Sequence, residues 1–321
     1  MGRKIICTIL LVLIFLSLII IVPIQLLLIQ SISLTNINKS LSFTYAPSSP
    51  SIVEKLSINA DKANVEIKYI DPNVDYYILI EVNITMIGVN IRGKSYEDYF
   101  DIQWDELNSP VSFTMEVISD EWLNPSLWIK KELNIVVYLR KDVTFDISAT
   151  LNEGNVDLSI PFMVLINNIK INTTKGDISF NLNHCILQGN ISCNSETGDL
   201  TLFTYNIQCT QDEIWNFTTE EGDLNIEIYQ YNEIGANITG SIDIKALNLI
   251  YIDSSSNIGT LFTFPYSQWT AQGKIVTGFN DPVFFGNGFY ISSSDFPATS
   301  NFNMVFYTSG YYDLELRNNY N

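Results

Sequence analysis

The sequence predicts an all-β protein: a single-stranded β-solenoid, β-helix-like, with coils of about 22 residues and Gly-Asp turns, behind one N-terminal transmembrane helix. Three observations predict it. A short pattern returns four times, as Glu153-Gly154-Asn155-Val156, Lys175-Gly176-Asp177-Ile178, Thr197-Gly198-Asp199-Leu200 and Glu221-Gly222-Asp223-Leu224, with glycines 22, 22 and 24 residues apart. Apolar residues alternate on both sides of each glycine, which is the period of a strand with one buried face. Residues 5–29 are almost continuously apolar, long enough to span a bilayer with some tilt.

Taken in order, the chain divides into a cytoplasmic stub (1–4), a transmembrane signal anchor (5–29), an extracellular spacer (30–50) and an adhesin-like β-solenoid domain (51–321). The apolar run exceeds a signal peptide's core and lacks a small-residue cleavage site, which favours a retained anchor over a cleaved signal. Arg3 and Lys4 precede it, so the chain after residue 30 is expected on the extracellular face of the cell membrane. Cys7 falls inside the apolar run, as a membrane-buried thiol. Residues 30–50 are rich in Ser, Asn and Pro and read as a polar spacer.

From Ile52 to Thr85 alternation resumes, and Asn64 stands where a degenerate copy of the Gly-Asp turn would fall. Residues 88–131 are less regular. They carry an acidic and aromatic cluster (Tyr96, Glu97, Asp98, Tyr99, Asp101, Trp104, Asp105, Glu106) that reads either as a metal or ligand site or as an ordinary acidic surface loop. Regular coils are expected over 133–231 and an irregular capping region over 232–321. In the first set, Ile147 and Ala149, Ile169 and Ile171, Ile191 and Cys193, and Trp215 and Phe217 point inward before the turns. Val156, Ile178, Leu200 and Leu224 open the inward rows after them. The capping region is rich in aromatics, from Phe262 to Tyr312; they either cover the open end or stack on sugar rings. Met304–Gly310 followed by Leu314 and Leu316 repeats the strand-Gly-strand theme and closes the domain.

Glycine at the turn supplies φ > 0, and Asp177, Asp199 and Asp223 accept a hydrogen bond within an Asx-type turn. Stacking would bring these carboxylates about 5 Å apart. A calcium ladder is one reading of the column, but each coil offers one carboxylate where calcium wants several oxygens. No metal and no cofactor is expected.

These Gly-Asp turns between alternating β-branched strands resemble a family of candidate adhesins of bacterial and archaeal surfaces, a domain of unknown function. Leu133–Leu139, running into Val143 and Ile147, is similar to the segment that leads into that family's repeats. The likeness covers roughly residues 55–317 and is strongest over 133–228. It implies a right-handed β-solenoid on the cell surface without catalytic residues. The chain departs from the pattern after Tyr231 and in its apolar N-terminus.

With 17 basic and 35 acidic residues the net charge is −18. That argues against nucleic acid and against anionic membrane surfaces as partners, since phosphate contacts need Lys and Arg. Chemistry finds little support. His184 is the single histidine, beside Cys185, and the sequence contains no zinc spacing, phosphate loop or dinucleotide fingerprint. β-Helix folds include polysaccharide lyases and pectinases, which keeps a polysaccharide-active enzyme as an alternative. Lyases need basic residues and hydrolases need convergent carboxylates, whereas outward positions here are mostly Ser, Thr and Asn, with Asp157 and Glu227 the clearest acids. Two non-catalytic readings remain: a binding or display module contacting a glycan or surface protein, and a structural envelope component with no specific ligand.

Two covalent expectations follow from register. Asn172, Asn190 and Asn216 lie four, eight and six residues before their turn glycines, between the inward positions at five and seven, so they point outward as glycosylation candidates. Further sequons stand at Asn38, Asn83 and Asn237. Cys185 and Cys209 each lie thirteen residues before the next turn glycine, in one column with Met163. That places them within disulfide range, as a bond or as two stacked thiols, while Cys193 belongs to the core.

Overall fold

The structure is a computed structural model describing residues 34–89, 91 and 93–229, and beyond them segments 238–246, 250–255, 259–264, 280–281, 283–285, 288–292, 296, 301–305 and 314–317. Residues 5–29, Cys7, Tyr231 and Asn237 lie outside the described residues. Among the described residues no helix is long and apolar enough to cross a membrane.

Alternation of apolar and polar residues produces strands throughout, joined by three 3-10 turns. In chain order they are β1 (Leu34–Tyr45), β2 (Glu54–Lys62), β3 (Asn64–Ile70), β4 (Ile78–Val89), β5 (Phe100–Asp105), β6 (Val111–Val117), β7 (Trp128–Arg140), β8 (Phe145–Glu153) and β9 (Val156–Ile160). Then come β10 (Leu165–Lys175), β11 (Ile178–Asn183), β12 (Ile186–Leu187), β13 (Ile191–Thr197), β14 (Leu200–Tyr205), β15 (Gln208–Cys209), β16 (Glu213–Glu221) and β17 (Leu224–Tyr229). Last are β18 (Ile238–Ala246), β19 (Ile250–Ser255), β20 (Gly259–Phe264), β21 (Val283–Phe285), β22 (Gly288–Ser292), β23 (Asn301–Val305) and β24 (Leu314–Arg317).

Each coil gives one strand to each of two facing sheets. One sheet runs β1-β4-β7-β3-β9-β11-β14-β17-β19-β24; the other contains β5-β6-β2-β8-β10-β13-β16-β18-β23 and a β20–β22 meander at its far edge. Neighbouring coils pair in parallel with the turns aligned, as in Ile178↔Leu200 and Ile169↔Ile191. Inward residues form continuous columns between the sheets: Val65, Val156, Ile178, Leu200 and Leu224 on one side, and Ile147, Ile169, Ile191 and Trp215 on the other, all buried.

The coil formed by β2 and β3 stacks directly on that of β8 and β9, with Leu56↔Ile147 and Val65↔Val156, although about 90 residues separate them. The intervening chain covers this end of the stack. β4 and β7 extend one sheet and β6 and β5 the other. At the opposite end the last coil, β23 and β24, pairs with β18 and β19 across a similar insertion. Leu261–Phe264, inside the expected irregular capping region, lie in β20 between β23 and β22.

Residues 34–45 correct the expected spacer over 30–50. They form β1, which pairs antiparallel with β4 from Leu34↔Val89 to Tyr45↔Ile78. Ile37, Leu41, Phe43 and Tyr45 pack on the core, and Phe43 meets the rings of Phe113 at 5.6 Å and Trp104 at 6.0 Å. The alternation was present in the sequence; the polar residue at every second position concealed it.

β1, β4 and β7 overhang the coils. Ser40, Asn83 and Asn134 align with Asn64, where β3 begins, so each of the three strands continues about six residues, roughly 20 Å, past the turn edge. Beneath this shelf Tyr99, Phe100, Trp122 and Trp128 form a small aromatic core, with Phe100–Trp122 centroids 4.6 Å apart and Tyr99–Trp128 5.2 Å apart.

Candidate functional site

The glycine corner is built by contacts between coils. Gly154, Gly176 and Gly198 have φ of 140°, 151° and 148°. A Cβ on Gly176 would stand 2.0 Å from the Gly154 carbonyl oxygen, and one on Gly198 2.2 Å from that of Gly176. Close approach therefore demands glycine as strongly as backbone conformation does. Gly222 meets the same limit, at 2.1 Å from the Gly198 oxygen.

The acidic turn residues act differently from the expected Asx turn. Asp177 Oδ1 accepts the backbone N–H of Asp199 at 2.9 Å, and Asp199 Oδ1 accepts that of Asp223 at 2.7 Å. Asn64 and Asn155 continue the ladder, to Asn155 and Asp177 respectively. Each side chain thus satisfies a donor of the following coil rather than of its own turn. Among the described residues no group of three or more His, Cys, Asp or Glu side chains is placed to hold a metal. Buried hydroxyls three residues before the glycine form a second ladder that sequence reasoning missed: Ser195 and Thr219 donate to the carbonyls of Gly176 and Gly198 at 2.9 and 2.8 Å.

The opposite corner of the coils turns through Met163, His184 and Asn206, at φ of 62°, 50° and 46°. Asn and His are the non-glycine residues that most readily adopt this left-handed conformation. It places Phe162, His184 and Tyr205 in one row across three coils. Ring centroids are 5.5 Å apart between Phe162 and His184 and 4.8 Å between His184 and Tyr205. Phe162 and Met163 are 62 % and 67 % exposed. The Asn206 amide lies 3.2 Å from His184 Nε2, and Nδ1 lies 2.7 Å from Asn183 Oδ1, so both ring nitrogens have a partner. The ring is held as part of the row. Nothing in the repeat glycines flagged this corner; His184 and Asn206, each eight residues after a turn glycine and tolerant of left-handed backbone, were the available signal.

Cys185 faces the interior although it follows His184. Burial pushes its thiol up to about 12, so it is protonated at neutral pH and unsuited as a nucleophile. Cys185, Cys193 and Cys209 are all buried free thiols. The expected column of Cys185 and Cys209 is corrected by the register. Cys209 pairs with Leu187, and the Gln208 N–H donates to the Cys185 carbonyl. The 22-residue offset persists through Cys209, so the two-residue insertion lies after it, before Glu213. Glu213, 1 % exposed, receives the Trp215 Nε1–H at 3.3 Å and lies beside Cys209; burial raises its carboxyl to about 7.

The acidic and aromatic cluster separates into structural parts. Ser95 and Asp98 form a capping box around the 3-10 turn Tyr96–Asp98. Tyr99 is buried, Trp104 packs on Phe43, and Asp105 accepts from Asn108 and Leu107 in a loop, which lowers its carboxyl pKa. A cleft of about 430 Å³ remains, lined by Tyr96, Glu97, Phe100, Asp101, Ile102 and Ile118. On the outer sheet face Asp157 lies beside Glu66, which is paired with Lys68 at 2.7 Å. Glu227 belongs to β17, three strands from β9 and two residues beyond the position level with Asp157, so the two backbone positions are roughly 16 Å apart, beyond the separation of a glycosidase pair.

Of the sequons, Asn38, Asn83 and Asn190 are exposed, whereas Asn172 and Asn216 are half-buried. Asn190 Oδ1 accepts the Ile214 N–H at 2.9 Å, and Asn216 Oδ1 is buried without a hydrogen-bond partner.

An all-β stack with glycine corners, capped at its first end by an antiparallel shelf, defines the class. A family profile described as Toastrack DUF4097 matches residues 53–246, and the chain belongs to that family. No curated protein matches the chain. Among solved structures it is similar to a candidate cell adhesion protein from Clostridium sporogenes, at 11 % identity and a TM-score of 0.38 over 88 % of this chain and 99 % of that one. It is also similar to a candidate adhesin from Bacteroides fragilis, at 8 % identity and 0.37 over 87 % and 96 %. A candidate lipid-binding protein from Parabacteroides distasonis matches at 12 % and 0.29 over 87 % and 96 %. At these scores the likenesses establish nothing further about the chain.

Proposed function

We propose that the stacked coils form a single-stranded β-solenoid displayed outside the cell behind a transmembrane anchor over residues 5–29, and that it serves as an adhesin-like, non-catalytic binding module. The observation that carries binding is the row of Phe162, His184 and Tyr205, flanked by Met163, on one corner of the coils. Aromatic faces at the spacing of the coils suit the apolar faces of sugar rings or an extended surface peptide. Arg3 and Lys4 before the apolar run support the orientation.

Two measurements test this reading. Protease added to intact cells degrades residues 34–321 if they lie outside, and protection until lysis refutes the topology. On a glycan array the full chain in detergent binds a ligand, and Phe162→Ala with Tyr205→Ala weakens that binding at unchanged thermal stability. Binding that survives the double substitution moves the site elsewhere. A chain that retains no glycan and no surface protein is a structural envelope component.

A further inference from the structure

The shelf that overhangs the coils carries a second surface. Leu34 pairs with Val89, and Asn36 with Ile87, on β1 and β4. Ile87 pairs with Lys130 on β7, and the ladder then shifts between Ile87 and Gly88, leaving Ile129 in the irregularity. Leu34 and Ile129 are 61 % and 65 % exposed, and Ile87 and Val89 occupy the same outward register, half-buried between them. Cross-strand neighbours lie about 5 Å apart, so these four side chains form one apolar patch at the free end of the shelf. Lys130, the cross-strand neighbour of Ile87, is paired with Glu132 at 2.9 Å.

What covers the patch follows from where the chain comes from. This step rests on the anchor over residues 5–29 proposed above. From residue 29 to Leu34 the chain makes five steps of at most about 3.6 Å, so Leu34 is held within roughly 18 Å of the hydrocarbon boundary. The headgroup layer itself occupies about 5–8 Å per leaflet. We infer that the patch of Leu34, Ile87, Val89 and Ile129 seats on the outer leaflet, with its apolar side chains at the boundary of headgroups and acyl chains. Leu and Ile suit that boundary, and Lys130 reaches its headgroups along an apolar stem. With a net charge of −18 the protein favours a zwitterionic surface. Seating the shelf places its free end at the membrane, while the row of Phe162, His184 and Tyr205 lies at the opposite corner of the coils.

The test uses the full chain in phosphatidylcholine vesicles, with Cys7→Ser and a fluorophore on Ile129→Cys or, as a distal control, on exposed Gln208→Cys. Quenching by acyl-chain nitroxide lipids is read alongside carbonate extraction, which reports anchor insertion independently. The expected result is several-fold stronger quenching at 129 than at 208, lost in the additional variant Leu34→Asp while the chain stays carbonate-resistant. Equal quenching at both sites in a carbonate-resistant chain overturns the seating and leaves the anchor standing. A carbonate-extracted chain with no quenching at 129 overturns both.

Discussion

At Gly198 the backbone conformation and the neighbouring coil act together, since an added Cβ meets the Gly176 carbonyl at 2.2 Å. Backbone cannot yield as a flexible side chain would, so Gly198→Ala should lower unfolding stability by more than the usual ~1 kcal/mol of a glycine replacement. A denaturant titration showing a loss below about 0.5 kcal/mol would remove this account of the corner. Glu213 makes a prediction of a different kind. Its folded carboxyl titrates near 7, against an ordinary value of 4.5, because burial disfavours the charge. The folded state therefore holds a proton that the unfolded state has released across this interval. The associated stability is complete below pH 4.5, declines as pH rises to about 7 and is flat above, by at most about 1.4 kcal/mol per pH unit. Glu213→Gln should flatten the decline; an unchanged slope in thermal melts from pH 5 to 7.5 would locate the dependence in other groups.

Elements were legible where the repeat carried them. Inward columns such as Ile169, Ile191 and Trp215 could be read by counting from the glycines, because each coil repeats the same environment. Counting failed where spacing is not conserved between coils. The insertion after Cys209 shifted the expected register by two residues and paired the wrong positions. Alkylation of the unfolded, unreduced chain with Cys7→Ser should accordingly label Cys185, Cys193 and Cys209; a single labelled thiol would restore the bond. β1 was concealed for another reason. Asn36, Asn38, Ser40 and Ser42 line its exposed side, and an edge strand with a polar outer face has the composition of a linker. Phe43→Ala should cost about 2–4 kcal/mol, because its ring packs against Phe113 and Trp104. A loss within a few tenths, by denaturant titration, would return these residues to the status of a spacer. The aromatic corner was missed because Phe162, His184 and Tyr205, on three successive coils, come together only once the register is known.

For the molecule as a whole, long-range order is set at the ends. The first coil waits about 90 residues for the partner on which it stacks, while every later regular coil has its predecessor in place. Surface use follows the same geometry. Among the described residues Asn38, Asn83 and Asn190 are the exposed sequons, and two of them lie on the shelf strands. Intact-mass measurement on native material from a glycosylating host should show hexose-bearing species lost on Asn→Gln at these three positions; a mass equal to the bare chain would leave them unused.

The pairing of β1 with β4 has a mechanical consequence. In a domain tethered through the residue before Leu34 and held at its outer corner, tension enters β1 along its own axis. Twelve consecutive residue pairs, from Leu34↔Val89 to Tyr45↔Ile78, are arrayed along that pull with their hydrogen bonds across it. The ladder is then loaded in shear, every rung at once, and does not open from one end like a zipper. Under that tether the first described strand would serve as the strap of the fold.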